Sequence, residues 1–422
     1  MKTLQQLFLV GWASVAGATG CASAAAEGPS AEQDSAQIAS PSWSAPVPLS
    51  QPIPPTDVVE RPAVAISPSG AELAAWDDQA ADGNQFVHVR FSSDGASFSP
   101  ATTLDHGVEP AVALAPDGRA VVVWVGLSTS ISGTLEASVR APGGAWSQPV
   151  QVSPDSGPPH LGIDQAGNAI AVWGSPTGVE TASLPAGGTW SPVRSLGSNG
   201  SAPDLAVNRS GAVVVTWTGT GSSIVAAAGT VLGDFAPPVT VAAPQYRQGA
   251  SHVALNDAGQ AALVWRGRTT DLAATRSAAG TWTAPVTLAT NITGAATGSV
   301  DVAIDGAGNA VAVVQRLPSA ALYAVRAPAG GSWGPATLLS GVSDDTGQPS
   351  IVADAAGTFV AAWNASASTS LVAATSQQGG SRFGAPVTVG SSFTSISLAI
   401  APGRAVAMWI SGGAAVSAEP VP

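Results

Sequence analysis

The chain has 422 residues, 45% of them hydrophobic and only 10% charged, with a formal net charge of −12. Phosphate binding needs clustered positive charge, so this balance excludes nucleic acid as a partner. Composition is uniform from about residue 41 to the end, which predicts one repetitive architecture rather than several domains.

Residues 1–20 open with Lys2 and continue as an apolar run from Leu7 to Ala18 followed by small residues, the pattern of a signal peptide. The run is too short to span a bilayer, and no other segment reaches the roughly 20 apolar residues required. Ala18-Thr19-Gly20-Cys21 resembles the lipobox of bacterial lipoproteins, although that family usually has Leu where Ala18 stands. The resemblance implies that Cys21 is lipidated and anchors the exported protein to the cell envelope; Ala22 behind it resembles lipoproteins sent to an outer membrane. The alternative is ordinary cleavage after Ala22-Ser23-Ala24, which would release a soluble protein. Cys21 is the only cysteine, so no internal disulfide is expected, and in neither case is the thiol catalytic. Residues 21–40 lack apolar periodicity and read as a flexible tether. Removing the signal also removes the only lysine, leaving 14 arginines against 27 acids.

From residue 41 onward one unit recurs every 44 to 49 residues. Its first landmark is a glycine followed six residues later by tryptophan: Gly70/Trp76, Gly118/Trp124, Gly167/Trp173, Gly211/Trp217, Gly259/Trp265, Gly357/Trp363 and Gly403/Trp409, with Gly308 ending on Val314. Apolar segments on either side place the glycine in the turn between two strands. Asp164, Asn208, Asn256, Asp305 and Asp354, three residues earlier, supply turn-bonding side chains rather than catalysis. Strands apolar at successive positions need cover on both faces, which stacked sheets provide.

A second landmark is an aromatic, one or two small residues, Pro and an apolar position, as in Trp146-Ser147-Gln148-Pro149-Val150, with Phe98, Phe235 and Phe383 replacing Trp in other units. Proline cannot donate to a ladder, so this segment is expected at a sheet edge. With a third strand between the landmarks each unit has four strands. The last unit stops without its outer strand, and Trp43-Ser44-Ala45-Pro46-Val47 is an outer strand with no unit before it. The expected fold of residues 41–422 is therefore all-β: an eight-bladed β-propeller of four-stranded antiparallel blades, closed by an N-terminal outer strand that completes the last blade. A monomer is expected. Tryptophans repeated at every unit read as core.

Ser92-Ser93-Asp94-Gly95-Ala96-Ser97-Phe98 resembles a degenerate Asp box, the hairpin of sialidase-like bacterial propellers. Sialidases use an arginine cluster for the substrate carboxylate and a tyrosine with an acidic partner as nucleophile. The resemblance thus points to Arg61, Arg247, Arg266 and Arg316 with Tyr246 and Glu109, and implies a glycoside hydrolase as the alternative function. Those enzymes have six blades.

Departures from a repeat are informative, because every blade otherwise solves the same packing problem. Seven residues before each landmark glycine stand Ala63, Ala111, His160, Asp204, His252, Asp301, Ser350 and Ile396, so four successive blades present His, Asp, His, Asp. Imidazole and carboxylate suit a divalent ion, the one cofactor such a set would hold; the rival reading is a hydrogen-bonded network at the strand ends. Glu60, Asp77, Asp78, His106, Arg268, Asp344 and Asp345 are expected on the same face. No phosphate loop, zinc motif or nucleophile elbow occurs. The function expected from this pattern is a non-enzymatic binding propeller that recognises a glycan or envelope protein at the mouth of its channel.

Overall fold

The computed structural model describes residues 41–50, 58–80, 82–127, 133–243, 247–267, 269–290, 300–316, 321–340, 346–365, 369–377, 379–391 and 395–421. Strands account for nearly all regular structure there, with one 3-10 turn at Thr220–Ser222. The lipobox and tether, residues 1–40, lie outside the described residues.

Among the described residues the strands form eight antiparallel units, seven of four strands and one in which Arg382–Phe383 adds a fifth, with two units sharing the long strand Thr102–Leu114 within one seven-stranded sheet. Inner strands Val58–Ile66, Thr102–Leu114, Pro159–Ile163, Ser201–Val207, Arg247–Leu255, Val300–Ile304, Thr346–Ala353 and Ile396–Ala401 neighbour one another in that order, and the last returns to the first. This is a closed propeller.

Each blade starts from the same turn chemistry. The landmark glycines have φ between 71° and 93°, which a Cβ would strain. In seven blades the glycine N–H donates to the carbonyl three residues earlier, as from Gly70 to Ser67 at 2.9 Å. The Oδ1 atoms of Asp164, Asn208, Asn256, Asp305 and Asp354 accept backbone N–H groups of the same turns at 2.8 to 2.9 Å, so these side chains are consumed locally.

The landmark tryptophans are at most 3% exposed, and each packs into the preceding blade. Trp124 lies against Leu73, Ala75, Val87 and Val89, and Trp409 against Ala362, Leu371 and Ala373. Trp76, in the first blade, packs on Val406, Met408 and Ile410 of the last, so the core itself closes the ring.

The outer strands explain the second landmark. In all eight blades the residue after the aromatic donates its N–H to a carbonyl of the third strand or, for Ser44, of Glu419 directly after it: Ser44, Ser99, Ser147, Ser191, Ala236, Thr283, Gly334 and Gly384, at 2.7 to 2.9 Å. In five of them its hydroxyl also accepts the N–H of the same partner: Ser99 from Phe91, Ser147 from Val139, Ser191 from Ser183, Thr283 from Thr275 and Ser44 from Glu419. A Ser or Thr there satisfies two edge groups, the carbonyl through its backbone N–H and the N–H through its hydroxyl, before the proline ends the possibility of donating. The terminal segment thus behaves like every other outer strand. Val47 pairs with Ser417 and Pro48 with Val416, while Ser42 and Trp43 pair with a further short strand, Pro420–Val421.

Asp94 accepts from Ala96 N at 2.9 Å, Ser97 N at 3.2 Å and Ser92 Oγ at 3.0 Å, and these bonds hold its carboxyl below the ordinary value. It closes a tight turn.

Candidate functional site

One mouth of the channel is a cavity of about 650 Å³ lined by residues from all eight inner strands. The residue pairing with the one before each landmark tryptophan, or before Val314 in the sixth blade, marks a common level: Ala63, Ala111, His160, Asp204, His252, Asp301, Ser350 and Ser397. The last corrects the sequence expectation of Ile396. Ile400 pairs with Ala405 across four residues, whereas the equivalent pair Ile66 and Glu72 encloses five, so counting back from Gly403 overshoots by one.

With that register the ring is polar through six successive blades. His160 Nδ1 lies 3.2 Å from Asp204 Oδ1, and His252 Nδ1 lies 3.9 Å from Asp204 Oδ2 and 4.0 Å from Asp301 Oδ1. Ser350 Oγ donates to Asp301 Oδ2 at 3.3 Å. The same side chains stitch blades together. Asp204 Oδ2 accepts the N–H of Val253 at 2.8 Å, Asp301 Oδ2 that of Ile351 at 2.9 Å, and Ser397 Oγ that of Val64 at 3.2 Å. The network reading of the His and Asp residues therefore describes what they do in the fold. Both imidazoles remain well exposed, at 39% for His160 and 37% for His252.

Burial pushes the Asp204 carboxyl up, but the His160 hydrogen bond, both imidazoles and the Val253 amide outweigh it and hold the group below its ordinary value. For Asp301 burial prevails, and its carboxyl is raised despite His252 and the amides of Ile351 and Val302. Among the described residues no group of three or more His, Cys, Asp or Glu is arranged to hold a metal ion. The long His252 contacts agree with this, since each carboxylate is turned toward a backbone amide.

Strain is concentrated beside the mouth. Arg61, Glu109 and Ala202, each preceding a proline where a bulge interrupts the inner strand, have φ of 41°, 57° and 47°. Such conformations cost on the order of 1–3 kcal/mol each in a residue other than glycine. Arg61 and Glu109, from neighbouring blades, form an ion pair across this rim.

The arginine inventory suggested by sialidases is placed differently from that expectation. Arg266 is 3% exposed, holds Asp271 through Nε at 2.9 Å, and donates from Nη2 to the Gln315 carbonyl at 3.0 Å. Burial pushes the Asp271 carboxyl up against the pull of Arg266. Asp77 is 1% exposed. Both residues directly follow a landmark tryptophan on strands covered on both faces, which is why they are buried rather than presented. Arg316 stacks over Tyr323, with its guanidinium carbon 4.4 Å from the ring centroid. None of Arg61, Asp77, Arg266 and Arg316 lines the mouth cavity. Tyr246, Arg268, Asp344 and Asp345 lie outside the described residues, as do the side chains of Glu60 and Arg247. Asp78 pairs with His88 at 3.0 Å, and His106 packs on Phe86 in the first blade.

At the opposite end a second cavity, about 350 Å³, is lined by Ile66, Leu114, Ile163, Leu255 and Ile304 together with the turn acids and amides; it shares no lining residue with the first.

No protein family and no curated protein matches this chain. Among solved structures it is similar to the BP39L lectin of Burkholderia pseudomallei, with 11% identity and a TM-score of 0.58 over 78% of this chain and 98% of that one. A virginiamycin B lyase of Staphylococcus aureus has 12% identity and a TM-score of 0.49 over 74% of this chain and 94% of that one. A Hadza microbial sialidase has 13% identity and a TM-score of 0.41 over 61% and 63%. The lectin match supports the propeller fold.

Proposed function

We propose that this protein is a non-enzymatic binding propeller that holds a glycan at the channel mouth. The observation that carries this reading is the belt His160–Asp204–His252–Asp301–Ser350, which brings exposed imidazoles and fixed carboxylates to one wall of a cavity large enough for an oligosaccharide. The belt is fixed by backbone amides of neighbouring blades, so ligand binding requires little ordering. The described arginines offered for acyl-sugar carboxylates are occupied by Glu109, Asp271 and Tyr323, which weighs against sialidase-like chemistry. BP39L, similar in fold, is a lectin, which agrees with glycan recognition here.

The sequence of residues 1–21 supports an exported chain lipid-anchored at Cys21, in an outer membrane where the host has one, with the propeller as a monomeric receptor on the tether. Labelled palmitate incorporated by the parent chain and not by Cys21→Ser would test the anchor.

The test of function is a glycan and envelope-fraction screen scored for both retention and product release. Retention of a glycan without release, weakened at least tenfold by His160→Ala with His252→Ala, is expected. Turnover, or retention unaffected by those changes, would overturn the reading; capture of an envelope protein instead would replace the glycan with a protein partner.

A further inference from the structure

We infer that the mouth selects a sugar bearing a primary ammonium, such as a hexosamine unit with a free amino group. This deepens the proposed function and rests on it.

Two carboxylates, Asp204 and Asp301, and no Arg or Lys occur among the described residues lining this cavity. The nearby described guanidinium groups are already matched, Arg61 by Glu109 and Arg266 by Asp271. Each carboxylate also accepts a backbone N–H on an oxygen, Asp204 from Val253 and Asp301 from both Val302 and Ile351; these bonds favour the charged form, although at Asp301 burial still raises the carboxyl above its ordinary value. A cation entering this wall is therefore attracted to two carboxylates whose side-chain partners are imidazoles and a hydroxyl rather than guanidinium groups.

Hydrogen-bond polarity points the same way. His160 Nδ1 faces Asp204, and His252 Nδ1 faces both carboxylates. An ionised carboxylate only accepts, and its two oxygens offer more lone-pair sites than these contacts use. The wall thus offers acceptors and negative charge, which fits the three N–H donors of an ammonium better than an acetamide or a carboxylate. Across the ring Ala63, Ala111 and Pro110 supply small apolar surface, suited to the C–H face of a pyranose.

Three β-1,4-linked tetramers that differ only at C2 provide the test: glucosamine, N-acetylglucosamine and glucose, titrated calorimetrically into the purified protein at fixed pH and salt. The glucosamine tetramer is expected to bind at least tenfold tighter than either relative, and spermidine is expected to compete only weakly. Asp204→Asn and Asp301→Asn should each erase most of that preference. Should either variant fail to fold, the parent comparison still decides. Equal binding of the three tetramers, or preference for the acetylated one, overturns the ammonium selectivity and leaves glycan binding standing. Spermidine as tight as the tetramer overturns the sugar part. Binding of none of the three, while another glycan is retained, overturns this inference alone; retention of no glycan removes both.

Discussion

Ser44 and Glu419, 375 positions apart, are joined by two reciprocal hydrogen bonds, Ser44 N to Glu419 O at 2.7 Å and Glu419 N to Ser44 Oγ at 3.1 Å. The same clamp recurs inside four other blades between residues eight positions apart, so the terminal segments reproduce a local interaction across nearly the whole described chain.

Ser44→Ala removes one bond of the clamp and should cost about 1 kcal/mol. Deleting residues 41–50 is a larger change, because it uncovers the edge of Ala414–Ala418 and takes Leu49 and Trp43 out of two core clusters. Thermal melts followed by circular dichroism should show a small shift for the first and loss of the cooperative transition, with aggregation, for the second. A deletion that melts like the parent would contradict ring closure.

The seam carries a second device. Glu72 is 1% exposed and lies 3.0 Å from Arg404, which also holds Glu419 at 2.6 Å and donates to the Gly70 and Asp94 carbonyls. Burial, then the Glu419 carboxyl, push Glu72 up to about 8 against the pull of Arg404. A folded-state value above the unfolded one means that stability from this group is complete below its ordinary carboxylate range and is lost as pH rises through about 8. Glu419 is held low by Arg404 and Glu72 although burial opposes them, so its contribution is lost toward acid instead. Melting temperature should fall from pH 6 to pH 9, and Glu72→Gln should flatten that slope and melt higher than the parent at pH 9. An unchanged slope would remove Glu72 as the cause.

Arg266 and Asp271 form a buried ion pair across the second and third strands of the fifth blade. Asp271→Ala strands a buried guanidinium and should cost about 3–5 kcal/mol, whereas Arg266→Met with Asp271→Leu should recover most of that loss. Denaturant titration of both variants measures the difference. Similar losses in the two would show that the ion pair itself is stabilising.

The fold was legible because each packing task recurs. The Gly-to-Trp spacing marks one turn and one interblade contact, and Trp43 to Val47 matched an outer strand lacking a blade. Ser397 was missed because that spacing measures only the second strand, while the last turn is shortened ahead of it. The available signal was Ile400, which occupies the place where five other turns carry Asp or Asn. Asp77 and Arg266 were expected at the channel-mouth face, the latter also from the sialidase resemblance, yet their position directly after a landmark tryptophan marks burial. The strained Arg61, Glu109 and Ala202 left only an X-Pro trace, since bulge geometry depends on the neighbouring blade.

The chain has four histidines, two in the belt and two, His88 and His106, in the first-blade strands away from the mouth lining. Histidine-selective NMR during titration with a retained glycan therefore reads the location of binding directly. The imidazole signals of His160 and His252 should move in step with saturation while those of His88 and His106 stay in place. Saturable binding that moves only His88 and His106, or none of the four, would show that the glycan does not sit at the mouth.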